Sequence, residues 1–229
     1  MQVPNDTTSM SADPTLTSGW SQAYEDHEDG MLWQEDPIPV LPDAVEVLHG
    51  RDVGTVVDLG CGDGRNILAL DAAGFRTMGV DLSATALSRA REGLRGSGFL
   101  LQSDATSLPL IDGSVDAVTV LDVFGQFSDP TSLLAEIRRI LVPGGTLILT
   151  AYTHGDSEYG VGEELVPHLF SYKDTVFRFY DEPTLREVLT GWDLQEFRAV
   201  RWDDPPHGSY RPYPHTHENW FVVATREDI

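Results

Sequence analysis

The sequence predicts a single α/β domain on a largely parallel sheet, and three observations carry that reading. Short strand-like runs alternate with turn and helix signals from residue 56 onward. Residues 115–121 are almost continuously apolar, as in a strand covered on both faces. A glycine-rich turn, Gly60-Cys61-Gly62-Asp63-Gly64, follows the strand-like Val56-Val57-Asp58-Leu59 and leads into a helix beginning near Arg65.

Each element has its own local reason. Residues 1–18 are rich in Ser, Thr, Asp and Pro and read as a disordered tail, so the domain is expected over 19–229. Aromatic residues then appear among acids, Trp20, Tyr24, Met31, Trp33 and Ile38 being the large apolar ones, and 42–49 reads as a helix leading into the first strand. Strands are predicted over 76–81, 99–102 and 115–121. Asp129-Pro130 opens a helix as N-cap and first helical residue, with Leu133, Leu134, Ile137 and Ile140 on its apolar face. Pro143-Gly144-Gly145 is expected to end it before a strand over 146–151. An insertion follows over 153–173, with a short turn of structure at 165–170. An extended stretch covers 176–180. Asp181 caps a helix over 182–189 that stops at Gly191, and 194–202 and 220–225 are the last two strands.

Composition narrows the function. With 229 residues, 41% of them hydrophobic, the chain can bury one full core, and no apolar run approaches a membrane span. The N-terminus has neither a basic n-region nor an apolar h-region, so a cytoplasmic protein is expected. Cys61 is the single cysteine, which excludes an intrachain disulfide. The formal net charge is −22, Lys173 is the only lysine, and the first 50 residues hold no Lys or Arg. A nucleic-acid partner, which needs clustered cations, is therefore disfavoured. The acidic surface suits neutral or cationic small molecules, or serves solubility alone.

The glycine spacing is G-x-G-x-G. The dinucleotide-binding pattern G-x-G-x-x-G would place its third glycine at Arg65, which disfavours an NAD-dependent reductase. Asp58 precedes the first glycine, Asp81 ends the second strand 17 residues after Gly64, and Asp104 follows the third. The segment Ile140-Leu141-Val142-Pro143-Gly144-Gly145-Thr146-Leu147 completes the set. Over residues 53–152 this series resembles the class I S-adenosylmethionine (SAM)-dependent methyltransferases. The resemblance implies a Rossmann-like seven-stranded, mostly parallel sheet with an antiparallel C-terminal hairpin and helices on both faces. It implies SAM as cofactor and methyl transfer to an O, N, S or carbon nucleophile of a small molecule, in specialised metabolism or detoxification. The alternative is a SAM-binding protein of the same fold without transfer: a cyclase, a partner subunit or a structural protein.

The resemblance also distributes roles. Asp58 helps hold the methionine amino group, directly or through water, while Gly60, Cys61 and Gly62 bring the backbone to the ligand. Asp81 takes the ribose hydroxyls, or serves as a turn residue before Ser83. Leu82 packs on adenine, Asp104 with Ala105 reads the adenine edge, and Leu121 joins the cofactor set. Asp104 has a plain turn role as its alternative. Residues 19–50 resemble an N-terminal lid with its lead-in helix, or else a helix covering the sheet; 51–152 is the cofactor core and 153–229 the substrate side.

Residues 202–220 hold four prolines and three histidines in what reads as a hairpin connection. Imidazole suits proton removal near neutral pH, so His207, His215 or His217 is a candidate general base. His215 and His217, two apart on an extended segment, share a face and with His207 or an acid also form a possible metal set; no metal is expected, since most methyltransferases of this build need none. The third reading is structural. Tyr210, Tyr213 and Trp220 form an aromatic wall or pack in the core. Gln126 stands where many relatives carry His, and Tyr152, a further catalytic candidate, and His154 end the fifth strand, close to the methyl that the resemblance implies.

Overall fold

A computed structural model of the chain describes residues 18–27, 32, 36–94, 98–206 and 211–227. The tail expected to be disordered lies outside these residues except for Ser18, which opens α1 (Ser18–Asp26). His207 and Tyr210 lie outside them too.

After α2 (Leu41–Gly50) the expected alternation runs in order: β1 (Thr55–Leu59), α3 (Ile67–Ala72), β2 (Arg76–Asp81), α4 (Ala84–Gly93), β3 (Phe99–Gln102) and β4 (Val115–Val120). Next come α5 (Thr131–Ile140), β5 (Leu141–Tyr152), β6 (Glu163–Val166), β7 (Leu169–Tyr172), β8 (Thr175–Arg178), α6 (Glu182–Val188), β9 (Trp192–Asp204) and β10 (His215–Arg226). Seven strands form one sheet in the order β3-β2-β1-β4-β5-β10-β9. The first five are parallel, and β10 and β9 are antiparallel additions.

Alternation along each strand feeds two cores. Val57, Val118, Val222 and Ala224 point to one face, where Leu133 and Ile137 of α5 and Leu185 of α6 cover them. Val56, Ala117, Phe221 and Val223 point to the other, covered by Leu41 and Leu48 of α2 and Leu70 of α3. That period-two division puts helices on both faces. Among the described residues, no helix is long and apolar enough to cross a membrane.

Several boundaries differ from the sequence expectation. The helix after the glycine turn starts at Ile67, two residues past Arg65, and has only six residues. Pro143-Gly144-Gly145 does not end α5, which stops at Ile140. It lies at the start of β5, where the register with β4 jumps from Val115↔Leu141 to Ala117↔Thr146. Proline lacks an N–H, and Gly144 at φ +70° allows the excursion. Asp129 caps from one residue further out: α5 begins at Thr131, whose N–H and hydroxyl donate to Asp129 Oδ1 at 2.9 and 2.6 Å. Within the insertion β6 and β7 are strands instead of a loop with one turn, and they join β8, which lies on the expected extended stretch, in an antiparallel sheet. Its Phe170 and Phe177 join Phe179, Tyr152 and Tyr24 of α1 in one cluster. The largest difference is in the final hairpin, which pairs from Arg226↔Trp192 to His215↔Asp204. The connection shrinks to 205–214, and His215 and His217 become strand residues.

Ser83 caps α4, its Oγ accepting the Ala86 N–H at 3.2 Å. Replacing Ser83 by alanine is expected to cost about 1 kcal/mol of stability in urea unfolding. A loss below about 0.3 kcal/mol would show that the cap contributes nothing net.

Candidate functional site

Strand order reverses at β1, flanked by β2 on one side and β4 on the other. Open α/β sheets take their ligands outside the carboxyl ends of the strands at such a point. The glycine turn lies there. Gly60 and Gly62 have φ of +70° and +54°. A Cβ on Gly60 would stand 2.6 Å from the Val123 side chain, and one on Gly62 would collide with the Tyr24 hydroxyl. Glycine is thus needed at both for conformation and for space. The N–H groups of Gly60 and Cys61 donate to the Val80 carbonyl at 2.8 and 3.0 Å, which ties the turn to the end of β2.

Two carboxyl groups flank this turn. Asp81 accepts the Gly62 N–H at 2.9 Å through Oδ2 and the Ser83 N–H at 2.9 Å through Oδ1. Burial raises its pKa, against the effect of those N–H bonds. Asp58 is buried; its Oδ1 accepts the Thr119 hydroxyl at 2.6 Å. Its Oδ2 is buried with no hydrogen-bond partner among the described residues. Burial pushes the Asp58 carboxyl up to about 7, the Thr119 bond opposing and the Asp81 charge adding to the rise. A buried, unsatisfied carboxylate oxygen beside the glycine turn fits an ammonium group. Burial, then the Asp58 and Asp81 charges, hold the Cys61 thiol well above its usual range, so it is a poor nucleophile.

The other members of the cofactor set are distributed as follows. Leu82 is 46% exposed next to Asp81, an apolar surface open to a ring. Asp104 is exposed, and its Oδ1 accepts the Thr106 N–H and hydroxyl at 2.8 and 2.7 Å, the turn role that the sequence held as its alternative. Ala105 is half-buried against the core. Leu121 is buried in the core on the α2 face.

Beside the turn, at the ends of β4, β5, β9 and β10, lies a buried charged cluster. His217 Nδ1 is 3.0 Å from Asp156 Oδ2, which also accepts the Glu218 N–H at 3.0 Å. His215 Nε2 and His217 Nε2 face each other at 3.1 Å, and Asp204 Oδ2 is 3.9 Å from His217 Nε2. Arg65 reaches Asp204 at 3.5 Å and Asp122 at 3.9 Å. Arg211 reaches Glu158 at 3.7 Å and His217 Nε2 at 3.5 Å. Tyr152 stacks on the His217 ring with centroids 6.0 Å apart and donates its hydroxyl to the Asp122 carbonyl at 3.0 Å. Burial, with Asp122 next, holds the Tyr152 phenol well above its usual range, so it stays a donor. Burial also raises Asp122, against the His217 and Arg65 charges.

Structure thus brings His215, His217 and Tyr152 together and sets His154 apart. His154 stacks on His168 at 4.3 Å and packs at a tilt against Tyr159 at 4.8 Å, and burial followed by the His168 charge lowers its pKa. Gln126 is taken up by α1, its Oε1 accepting the Trp20 indole N–H at 2.8 Å. Trp220 belongs to the core side: it packs on Phe197 at 5.1 Å and donates to the Tyr180 carbonyl at 2.9 Å, while Tyr213 is exposed. Sequence reasoning missed Arg65, Asp122, Asp156, Asp204 and Arg211 as members of the site. One local signal was present: Arg65 is a cation where the dinucleotide pattern would hold glycine. The rest are scattered over the chain and meet only through the fold.

Comparison with known proteins bears on the fold and the family. The family model described as a methyltransferase domain matches residues 57–149. A ubiquinone biosynthesis O-methyltransferase of Thiobacillus denitrificans is 32% identical over 184 residues, covering 75% of this chain and 78% of that one. A demethylmenaquinone methyltransferase of Thermus thermophilus is 35% identical over 114 residues, 48% of this chain and 52% of that protein. The chain thus spans about half the length, or less, of several curated relatives that it matches. Among solved structures, the 1,6-didemethyltoxoflavin-N1-methyltransferase of Burkholderia thailandensis, with its substrate and S-adenosylhomocysteine bound, shares the fold. The TM-score is 0.66 at 20% identity, over 93% of this chain and 88% of that one. With the strand order, the glycine turn and its two carboxyl groups, these matches show that the chain belongs to the class I SAM-dependent methyltransferases.

Proposed function

We propose that this chain transfers a methyl group from SAM to an oxygen, nitrogen, sulfur or carbon nucleophile of a small molecule. The buried, unsatisfied Asp58 Oδ2 beside the Gly60–Gly62 turn is the observation that carries the cofactor half of this reading. Asp58 is assigned the methionine ammonium, the backbone around Gly60, Cys61 and Gly62 the methionine end, and Asp81 the ribose. Leu82, Asp104 and Ala105 are assigned the adenine side, and Leu121 belongs to the cofactor set without a particular group assigned to it. When bound, SAM supplies an electrophilic methyl on its sulfonium. The protein's contribution is position and charge: it excludes water, aligns the acceptor and surrounds it with fixed polar groups.

The acceptor is assigned to the space bounded by Tyr152, His215, His217 and α1, with His207 on the adjoining connection. Two relatives are named for demethylmenaquinone and for ubiquinone biosynthesis, which supports a small-molecule acceptor. The net charge of −22 supports the same reading over a nucleic acid. Residues 19–50 are proposed as lid and lead-in, 51–152 as cofactor core and 153–229 as substrate side. The lid reading rests on three contacts of α1: Tyr24 over Gly62, Trp20 on Gln126, and Arg89 donating to the Tyr24 carbonyl at 2.8 Å and to that of His27. The reading without transfer draws no support from the relatives described above, which are named for methyl transfer.

Calorimetric titration with SAM and S-adenosylhomocysteine, followed by assay of S-adenosylhomocysteine release across small-molecule acceptors, tests the proposal. Folded protein that binds neither compound sinks it. A pH dependence is also expected. An ammonium needs Asp58 ionised, yet its carboxyl titrates near 7 before the ligand arrives. Below that pH, binding must expel a proton, so SAM affinity should fall roughly tenfold per pH unit between 7 and 5.5. Asp58→Asn should be weaker throughout and flat over this window. Wild-type affinity independent of pH would refute the Asp58 assignment.

A further inference from the structure

We propose that Asp204, His215 and His217 form a binding site for one divalent first-row transition metal ion. The three residues are buried, and each offers one ligand atom within 4.8 Å of the other two. Their orientation carries the inference. His217 Nδ1 points at Asp156 Oδ2, which also accepts the Glu218 N–H and so serves as an acceptor. His215 Nδ1 points at the Tyr213 carbonyl, 3.3 Å away, which can only accept. With both imidazoles neutral, the Nδ1 atoms are the N–H donors and both Nε2 atoms present lone pairs; the Arg211 guanidinium, which can only donate, faces His217 Nε2 at 3.5 Å. Those two lone pairs face each other at 3.1 Å. Two nitrogens bound tetrahedrally to zinc at 2.0–2.1 Å stand about 3.3 Å apart. An acceptor holding the far nitrogen of each imidazole is the usual outer support of a metal-binding histidine.

Charge points the same way. Asp122, Asp156, Glu158 and Asp204 converge on the cluster against two guanidiniums, Arg65 and Arg211. Among the described residues, with the imidazoles neutral, these carboxylates outnumber the guanidiniums, and a dication between the imidazoles reduces the excess at its source. Two cations compete, Arg65 Nη2 at 3.5 Å from Asp204 Oδ2 and Arg211 Nη1 at 3.5 Å from His217 Nε2; Arg65 keeps Asp122 at 3.9 Å and Arg211 keeps Glu158 at 3.7 Å as alternative partners. Two imidazoles and one carboxylate suit zinc, cobalt or nickel over magnesium or calcium, which prefer all-oxygen sets. Three protein ligands would leave a fourth position for an oxygen or thiol ligand. The metal site stands on this geometry alone; only the assignment of that fourth ligand to a methyl acceptor rests on the function proposed above.

The test is a Co2+ titration of the full chain after chelator treatment, read by visible absorption, with circular dichroism confirming the fold. One Co2+ per chain is expected, with the strong bands of four- or five-coordinate cobalt, displaced by one equivalent of Zn2+. Binding to the chain's other carboxylates gives only the weak bands of six-coordinate cobalt. His215→Ala and Asp204→Asn should abolish the strong bands, His154→Ala should leave them intact, and Asp156→Asn should weaken affinity about 10- to 100-fold. Folded wild type without strong bands would overturn the site, as would bands that survive in folded His215→Ala/His217→Ala. If those variants do not fold, displacement from wild type decides: cobalt bands that Zn2+ cannot remove also overturn it.

Discussion

Replacing Asp81 by alanine is expected to weaken SAM binding about 10- to 150-fold, the largest cofactor effect of any single side chain here. The expectation follows from the place of Asp81 at the end of β2, where it spans the Gly62 and Ser83 N–H groups. Hydrogen bonds to a charged partner contribute about 1.5–3 kcal/mol, and the ribose hydroxyls are the donors assigned to this carboxylate. The variant also frees the Gly62 N–H that holds the turn, so part of the loss is preorganisation. Calorimetry reads the change, with Asp81→Asn as comparison: the amide keeps an acceptor and should retain part of the affinity. Wild-type affinity in Asp81→Ala would leave Asp81 as a turn residue only and remove the ribose assignment.

Phe221→Ala is expected to destabilise the fold by about 3–5 kcal/mol. Phe221 sits in β10, between Thr150 of β5 and Arg198 of β9, and is fully buried. Its ring packs in the core on the α2 face, with the Arg198 guanidinium 4.8 Å from its centroid. Truncation removes that apolar contact and leaves a cavity under α2, in a strand held on both sides that cannot collapse to fill it. Urea unfolding with an unchanged slope should show the full loss in the midpoint. A loss under about 1 kcal/mol would mean that the antiparallel hairpin is peripheral to the cooperative unit. The same strand carries His215 and His217, so its rigidity also fixes the charged cluster.

The glycine turn and the carboxyl groups proposed to hold the cofactor were legible because their determinants are local. Asp58, Gly60, Gly62 and Asp81 fall within 24 residues, and each works through the backbone of its own turn or strand end. Spacing therefore predicted position. The helix near Arg65 was placed two residues early because turn and helix share the same residues at this end. Pro143-Gly144-Gly145 was read as a helix stop, since proline and glycine break helices; pairing with β4 turned it into the irregular start of a strand.

The acceptor half resisted reading for the opposite reason. Arg65, Asp122, Asp156, Asp204 and His217 come from five separate parts of the chain, and nothing in their local surroundings links them. Prolines between 205 and 214 suggested one long connection, yet cross-strand pairing extended both strands past the point where local propensity would have stopped them. Local chemistry, repeated in the right order, determined the fold class, the family and the place of the glycine turn. Burial and the meeting of distant strands decided which histidines share a cluster, which carboxyl groups are raised by desolvation, and which side chains line the space proposed for the acceptor. Those properties depend on what lies beside a group in space, and that arrangement exists only once the sheet has closed.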